Sequence, residues 1–175
     1  MEVITYEYIK TGANEFRFVT DNNNMYFVNF VKYWQEDVVR FISGIEINVF
    51  ELYFEVENKL SNGFDNKIAP TIFRMLELYF SFDNTVVYFV TQRNDGRSSQ
   101  LFRVYQLWHK LYKKSGRAFS DKILKSDRFV DSDGQTDAFV SCMTHVDHFD
   151  EKIDFDKLTD FVLVEIFPNS TIRKA

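Results

Sequence analysis

The sequence predicts an α+β fold, a mixed sheet with helices packed on it. Three observations carry this. Four segments between Tyr6 and Glu57 read as strands, most clearly where apolar and polar side chains alternate along Glu46–Glu57. Two later segments, starting at Ile68 and Ser98, repeat apolar residues at helical spacing. Between them Thr85–Val90 is almost continuously apolar, the signature of a strand covered on both faces. Strands come first and then alternate with helices, an order that builds a mixed sheet.

Tyr6–Lys10 and Glu15–Thr20 read as two strands around Thr11-Gly12-Ala13-Asn14. Asp21-Asn22-Asn23-Asn24 is a turn, because Asn and Asp tolerate left-handed backbone. Met25–Lys32 is a third strand and completes an antiparallel meander. Gln35–Phe41 reads as one or two helical turns closed by Ser43-Gly44. Glu46–Glu57 is the clearest strand, with Phe50, Leu52, Phe54 and Val56 facing a core and Glu51, Tyr53, Glu55 and Glu57 facing out.

Ile68, Ile72, Leu76, Tyr79 and Phe80 define the first long helix, with Pro70 in its first turn and Asp65 or Asn66 as cap. Asp83-Asn84 ends it. The helix from Ser98 places Leu101, Tyr105, Trp108 and Tyr112 on one face and Arg103, Gln106, Lys110 and Lys113 on another. Gly116 is its left-handed stop. Ala118–Val130 shows no clear period. Asp131-Ser132-Asp133-Gly134 is a turn before a strand at Ala138–His145, and Asp154 or Asp156 caps a last helix that ends near Phe167 before Pro168. With no repeat and no linker, the chain reads as a single domain over 1–175.

Aromatic residues make up 18% of the chain, far too apolar a composition for disorder. The lone Cys142 allows no internal disulfide, and no basic and apolar leader opens the sequence. No apolar run approaches a membrane span. A cytoplasmic protein is expected.

Charge is unevenly spread. Thr85–Arg128 carries ten Lys/Arg against three Asp/Glu, a net of +7, while the remainder carries −12 and the whole −5. A basic element on an acidic protein marks an anion or partner site. The stretch Gln92–Arg97 leads into the start of the helix from Ser98, and free N–H groups at such a start favour anions. Arg93, Arg97, Arg103, Lys110 and Lys113 are therefore the candidate anion-binding residues, with Asp95 bracing the turn. Gly96 alone is no phosphate loop.

Several features of Ile68–Tyr112 resemble a family of small bacterial proteins known only as a domain of unknown function. They are Lys67-Ile68 and Thr71-Ile72 opening a helix that closes on Leu78-Tyr79-Phe80, then Val86-Val87-Tyr88, Asn94-Asp95-Gly96-Arg97, and Arg103 before Tyr105-Gln106-Leu107-Trp108. Thr144-His145 extends the likeness. The family implies no established activity. The order of elements also resembles the GNAT acyltransferases, which rest the pyrophosphate of acyl-CoA on backbone amides after their fourth strand through an Arg/Gln-x-x-Gly-x-Gly/Ala pattern. The corresponding segment here, Ser61–Ala69, departs from that pattern, so the resemblance implies a GNAT-like topology and acyl-CoA as cofactor but transfers no catalytic residue.

Other constellations are weaker. His145, Asp147, His148 and His109 have poor spacing for a metal, and Asp131, Asp133 and Asp137 lack the later ligands of a calcium loop, so no metal site is assigned. Cys142 lies in an apolar strand and Trp34 and Trp108 read as core. Glu51, Glu55 and Glu57 form a solvated acidic face that suits a basic partner. The leading function is a non-enzymatic binding or accessory module without cofactor, using the basic helix 98–116 toward a protein partner or small anionic ligand. An acyl-CoA-dependent acyltransferase is the alternative and nucleic-acid binding the third candidate. No membrane partner is expected.

Overall fold

Tyr8–Lys10 (β1), Glu15–Val19 (β2) and Met25–Lys32 (β3) form the antiparallel meander that alternation predicts, with Asn23 taking a positive φ of 59° in the turn. The computed structural model describes residues 4–33, 40–41, 45–60, 65–91, 98–117, 119–132, 135–148 and 154–175. Arg40–Phe41 (β4) and Ile45–Glu46 (β5) pair as a small separate hairpin. Asn48–Asn58 (β6) lies antiparallel to β3. Ile68–Phe80 (α1) then crosses to Thr85–Thr91 (β7), which runs parallel to β6. Ser98–Lys113 (α2) follows. Ile123–Ser132 (β8) and Gln135–His145 (β9) make a hairpin whose second strand inserts beside β7. Phe155–Ile166 (α3) leads to Thr171–Lys174 (β10) on the far edge. The result is a mixed α+β sheet of eight strands in the order β1-β2-β3-β6-β7-β9-β8-β10.

Parallel pairing between β6 and β7 runs only from Asn48↔Thr85 to Glu51↔Tyr88. Beyond it β6 continues to Asn58 and β7 to Thr91, so the two strands part. Aromatic rings fill the gap: Phe54 of β6 and Phe89 of β7 both meet Tyr105 of α2, at 5.6 and 5.1 Å between centroids.

α1 and α2 cover one face of the sheet, over a core rich in aromatics that includes Phe16, Phe18, Phe30, Phe50, Phe73, Tyr79 and Phe89. α3 covers part of the other face, setting Leu158, Val162 and Leu163 against Val49, Val86, Tyr88, Val140 and Cys142. The continuous apolar run of β7 is thus explained, since Val86 faces one core and Val87 the other. The outward sides of β2, β3 and the distal half of β6 carry no helix among the described residues.

The structure corrects several expectations. Arg40–Phe41 is strand, not the end of a helix, and Gln35–Val39 lies outside the described residues. The strand read as Glu46–Glu57 is two, β5 and β6. Neither Asp65 nor Asn66 is the N-cap of α1; Lys67 holds that position without a side-chain cap. Asp65 sits two residues before it, where its carboxylate accepts from the Lys67 amide at 2.9 Å and from the Tyr6 hydroxyl at 2.6 Å. β8 occupies most of the segment without a clear period, and β10 follows Pro168. Among the described residues no helix is long and apolar enough to cross a membrane.

Candidate functional site

α2 is held from beneath along its whole length. Phe102 stacks on Phe139 at 5.0 Å, Trp108 lies 6.1 Å from Phe54, and Tyr112 stacks on Phe73 at 4.3 Å. The Tyr112 hydroxyl donates to Glu77 at 2.7 Å, and Arg117 forks onto the same carboxylate at 2.8 and 2.6 Å. This pins the end of α2 to α1. Gly116 has φ +68°, the left-handed stop that reverses the chain there.

A polar cluster sits under the middle of the helix. Asp127 of β8 accepts from Gln106 at 2.6 Å and also from Lys125 and Ser141. Gln106 therefore turns inward, away from the basic row in which its spacing placed it. Burial lowers the pKa of Lys125, and its bond to Asp127 works against that shift. His109 packs beside this cluster with Nε2 buried and without a hydrogen-bond partner among the described residues.

Burial, with the nearby charges of Lys125 and Lys113, holds the pKa of His109 down at about 4 from 6.5. Above 6.5 the imidazole is neutral whether the chain is folded or not. As pH falls from 6.5 to 4 only the unfolded chain takes the proton, so stability drops across that window. After discounting for partial exposure, the loss is about 2 kcal/mol. In urea titrations at neutral pH and at about pH 4.5, His109→Leu should lose less stability than wild type by roughly that amount. Equal losses would mean that His109 titrates normally.

The outer face of α2 differs. Val104, Leu107 and Leu111, at helical spacing, are 40, 49 and 53% exposed. Exposed Arg103, Lys110 and Lys114 run beside them on the same side of the helix. Among the described residues no ion pair holds these three cations. Lys113, three residues on from Lys110, lies beyond this row on the same side, near enough to His109 to lower its pKa. Beside the stripe a groove of about 310 Å³ opens between α1 and α2, walled by Pro70, Phe73, Leu107, Trp108 and Leu111 with Lys114 at its rim. The outer stripe and the groove are one continuous surface, joined through Leu107 and Leu111.

The structure thus keeps Arg103 and Lys110 together, adds Lys114, and places Lys113 at the inner edge of the row toward His109. Arg93, Asp95 and Arg97 lie outside the described residues. The apolar stripe was missed in the sequence, although Val104, Leu107 and Leu111 carry the i, i+3, i+7 signature.

The other constellations take structural roles. Cys142 is fully buried and its thiol is pushed up to about 12 by burial, so it is a core side chain. The ring of His145 packs edge-on against Phe119, and its Nδ1 accepts from the Asp147 amide at 3.2 Å. Asp131 pairs with Arg173 of β10. Trp108 packs on the core as its spacing implied, while Trp34 lies outside the described residues. Comparison of the chain with known protein families, curated proteins and solved structures found no match.

Proposed function

We propose that the chain is a cytoplasmic, non-enzymatic binding module and that the outer face of α2 docks a protein partner. One observation carries this: three large aliphatic side chains stand in solvent on a helix whose inner face is already packed, with a row of cations beside them. Interface centres bury apolar groups and place charge at the rim, and this face has that composition. A phosphate or nucleic-acid site needs the cations but gains nothing from Val104, Leu107 and Leu111. The expected partner surface is acidic at its edges and apolar at its centre.

The test is comparative affinity capture from the cell that carries the protein. Bait bearing Leu107→Asp and Leu111→Asp should lose a protein that wild type retains, while Lys59→Asp, an exposed change off this face, should keep it. Equal recovery by all three baits would overturn the reading. So would a salt-sensitive complex with short nucleic acids that tolerates loss of both leucines.

A second reading, an acyl-CoA-dependent acyltransferase of GNAT-like topology, is favoured by the parting of β6 from β7 and by the groove beside the start of α1. It predicts a rise in melting temperature with coenzyme A, because a ligand that binds only the folded chain stabilises it by about 2.7 kcal/mol at a hundredfold excess over its Kd. No shift at millimolar coenzyme A would remove it.

A further inference from the structure

Among the described residues the sheet has two helices on one face and one on the other, and no helix lies over the outward side of β1, β2, β3 and the distal half of β6. Pairing register places the outward residues in rows. Ile9, Arg17, Phe27 and Glu55 form one row across the four strands; Glu15, Asn29 and Tyr53 form the next; Val31 and Glu51 form a third. Ile9, Val19, Met25, Val31 and Tyr53 are exposed there by 66, 48, 37, 47 and 45%. This is a large apolar area for a surface that meets only water. Its charge is mainly negative: Glu15, Glu51, Glu55 and Glu57 stand against Arg17, which forks onto Glu57 at 3.0 Å and lies over the Phe27 ring. A recess of about 310 Å³ opens between Ile9, Arg17, Val19 and Met25.

The outer face of α2 is the complement of this surface. It is apolar along Val104, Leu107 and Leu111, basic along Arg103, Lys110 and Lys114, and no acidic residue occurs anywhere between Ser98 and Gly116. A helix laid on the open half-sheet would supply the missing second helix of that layer. It would bury aliphatic groups on both sides and set lysines against glutamates.

We propose that the partner of α2 is a second copy of this chain, whose open half-sheet receives the helix. This rests on the docking role proposed above for α2. The two patches are different surfaces on one molecule, so the contact is heterologous. Each copy of a pair keeps one unused patch, a sheet on one and a helix on the other, so association runs on head to tail unless a ring closes. Salt weakens it, since exposed charges drive part of the recognition.

Sedimentation velocity on the purified chain tests this. Wild type should show species beyond the dimer that grow with concentration and recede at high salt. A helix variant, Leu107→Glu/Lys110→Glu, and a sheet variant, Val31→Lys/Glu55→Lys, should each be monomeric with the circular dichroism and melting profile of a folded chain. Mixed in equal amounts they should form a heterodimer and nothing larger, because each brings the one patch the other lacks. Three results would overturn the proposal: wild type monomeric at every concentration, either folded variant associating like wild type, or two monomeric variants that fail to combine. If wild type is monomeric while Leu107→Asp/Leu111→Asp bait still loses a captured protein, the docking role of α2 stands and only the self-association falls.

Discussion

Phe30→Ala should destabilise the protein by about 4 kcal/mol, within the range for deleting a buried ring. Phe30 is fully buried on β3 at the centre of the larger core. Its ring stacks on Tyr79 of α1 at 3.8 Å and meets Phe16 edge-on at 6.0 Å. Alanine removes both contacts and leaves a cavity under α1. That helix cannot sink to fill it, because the Tyr79 hydroxyl is tied to Asn14 at 3.0 Å and Glu77 to Tyr112 and Arg117. For a chain of this size the loss corresponds to a fall in melting temperature of roughly 10 °C. Phe30→Leu keeps most of the volume and should cost less than half as much. A loss below about 1 kcal/mol for the alanine variant would mean that the sheet and α1 repack freely there.

Arg128→Ala is the second large effect, expected at about 3 kcal/mol. The side chain is 3% exposed on β8, under the start of α3. It donates to Asp160 at 2.6 Å, to Ser126 at 2.7 Å, to the Asp127 carbonyl at 2.9 Å and to the Asp156 carbonyl at 3.0 Å. Lys174, Ser126 and Arg128 together hold the Asp156 carboxyl well below the usual carboxylate range. Removing the guanidinium leaves those acceptors without donors and detaches α3 from β8. Asp156 and Asp160 are about half exposed and can rehydrate, which keeps the loss at the lower end for a buried pair. Arg128→Lys cannot reproduce the fork and should recover at most part of it. Urea midpoints read both, and an alanine variant as stable as wild type would contradict the anchoring role.

Much of the fold was legible because its pattern is simple. The meander, β6, α1 and the inner face of α2 each show one clear period, β7 shows an unbroken apolar run, and Asp154 caps α3 as expected, accepting from the Asp156 amide at 3.0 Å. The opaque stretch was β8. It mixes Ser126 and Arg128, turned toward α3, with Lys125 and Asp127, turned toward α2. A strand whose buried positions are polar carries no hydrophobic alternation, and the partners that satisfy it come from elements distant in sequence. β10 was missed for a related reason: Thr171–Lys174 is short, charged and on an edge, as edge strands are.

The candidate surface was half legible. The cations stood out by composition. The aliphatic stripe beside them did not, because α2 carries two apolar stripes and periodicity alone does not say which one is buried. Tyr105, Trp108 and Tyr112 won the core through Phe54, Phe89 and Phe73, and that left Val104, Leu107 and Leu111 outside.

The measurement that tests this account most directly is lysine footprinting inside the cell, set against the same labelling of dilute purified chain. If the outer face of α2 is a docking surface, Lys110 and Lys114 will be labelled less in the cell, while the exposed Lys122 and Lys157, away from both proposed patches, will be labelled alike in both. Labelling of Lys110 and Lys114 that stays the same in both settings would contradict it.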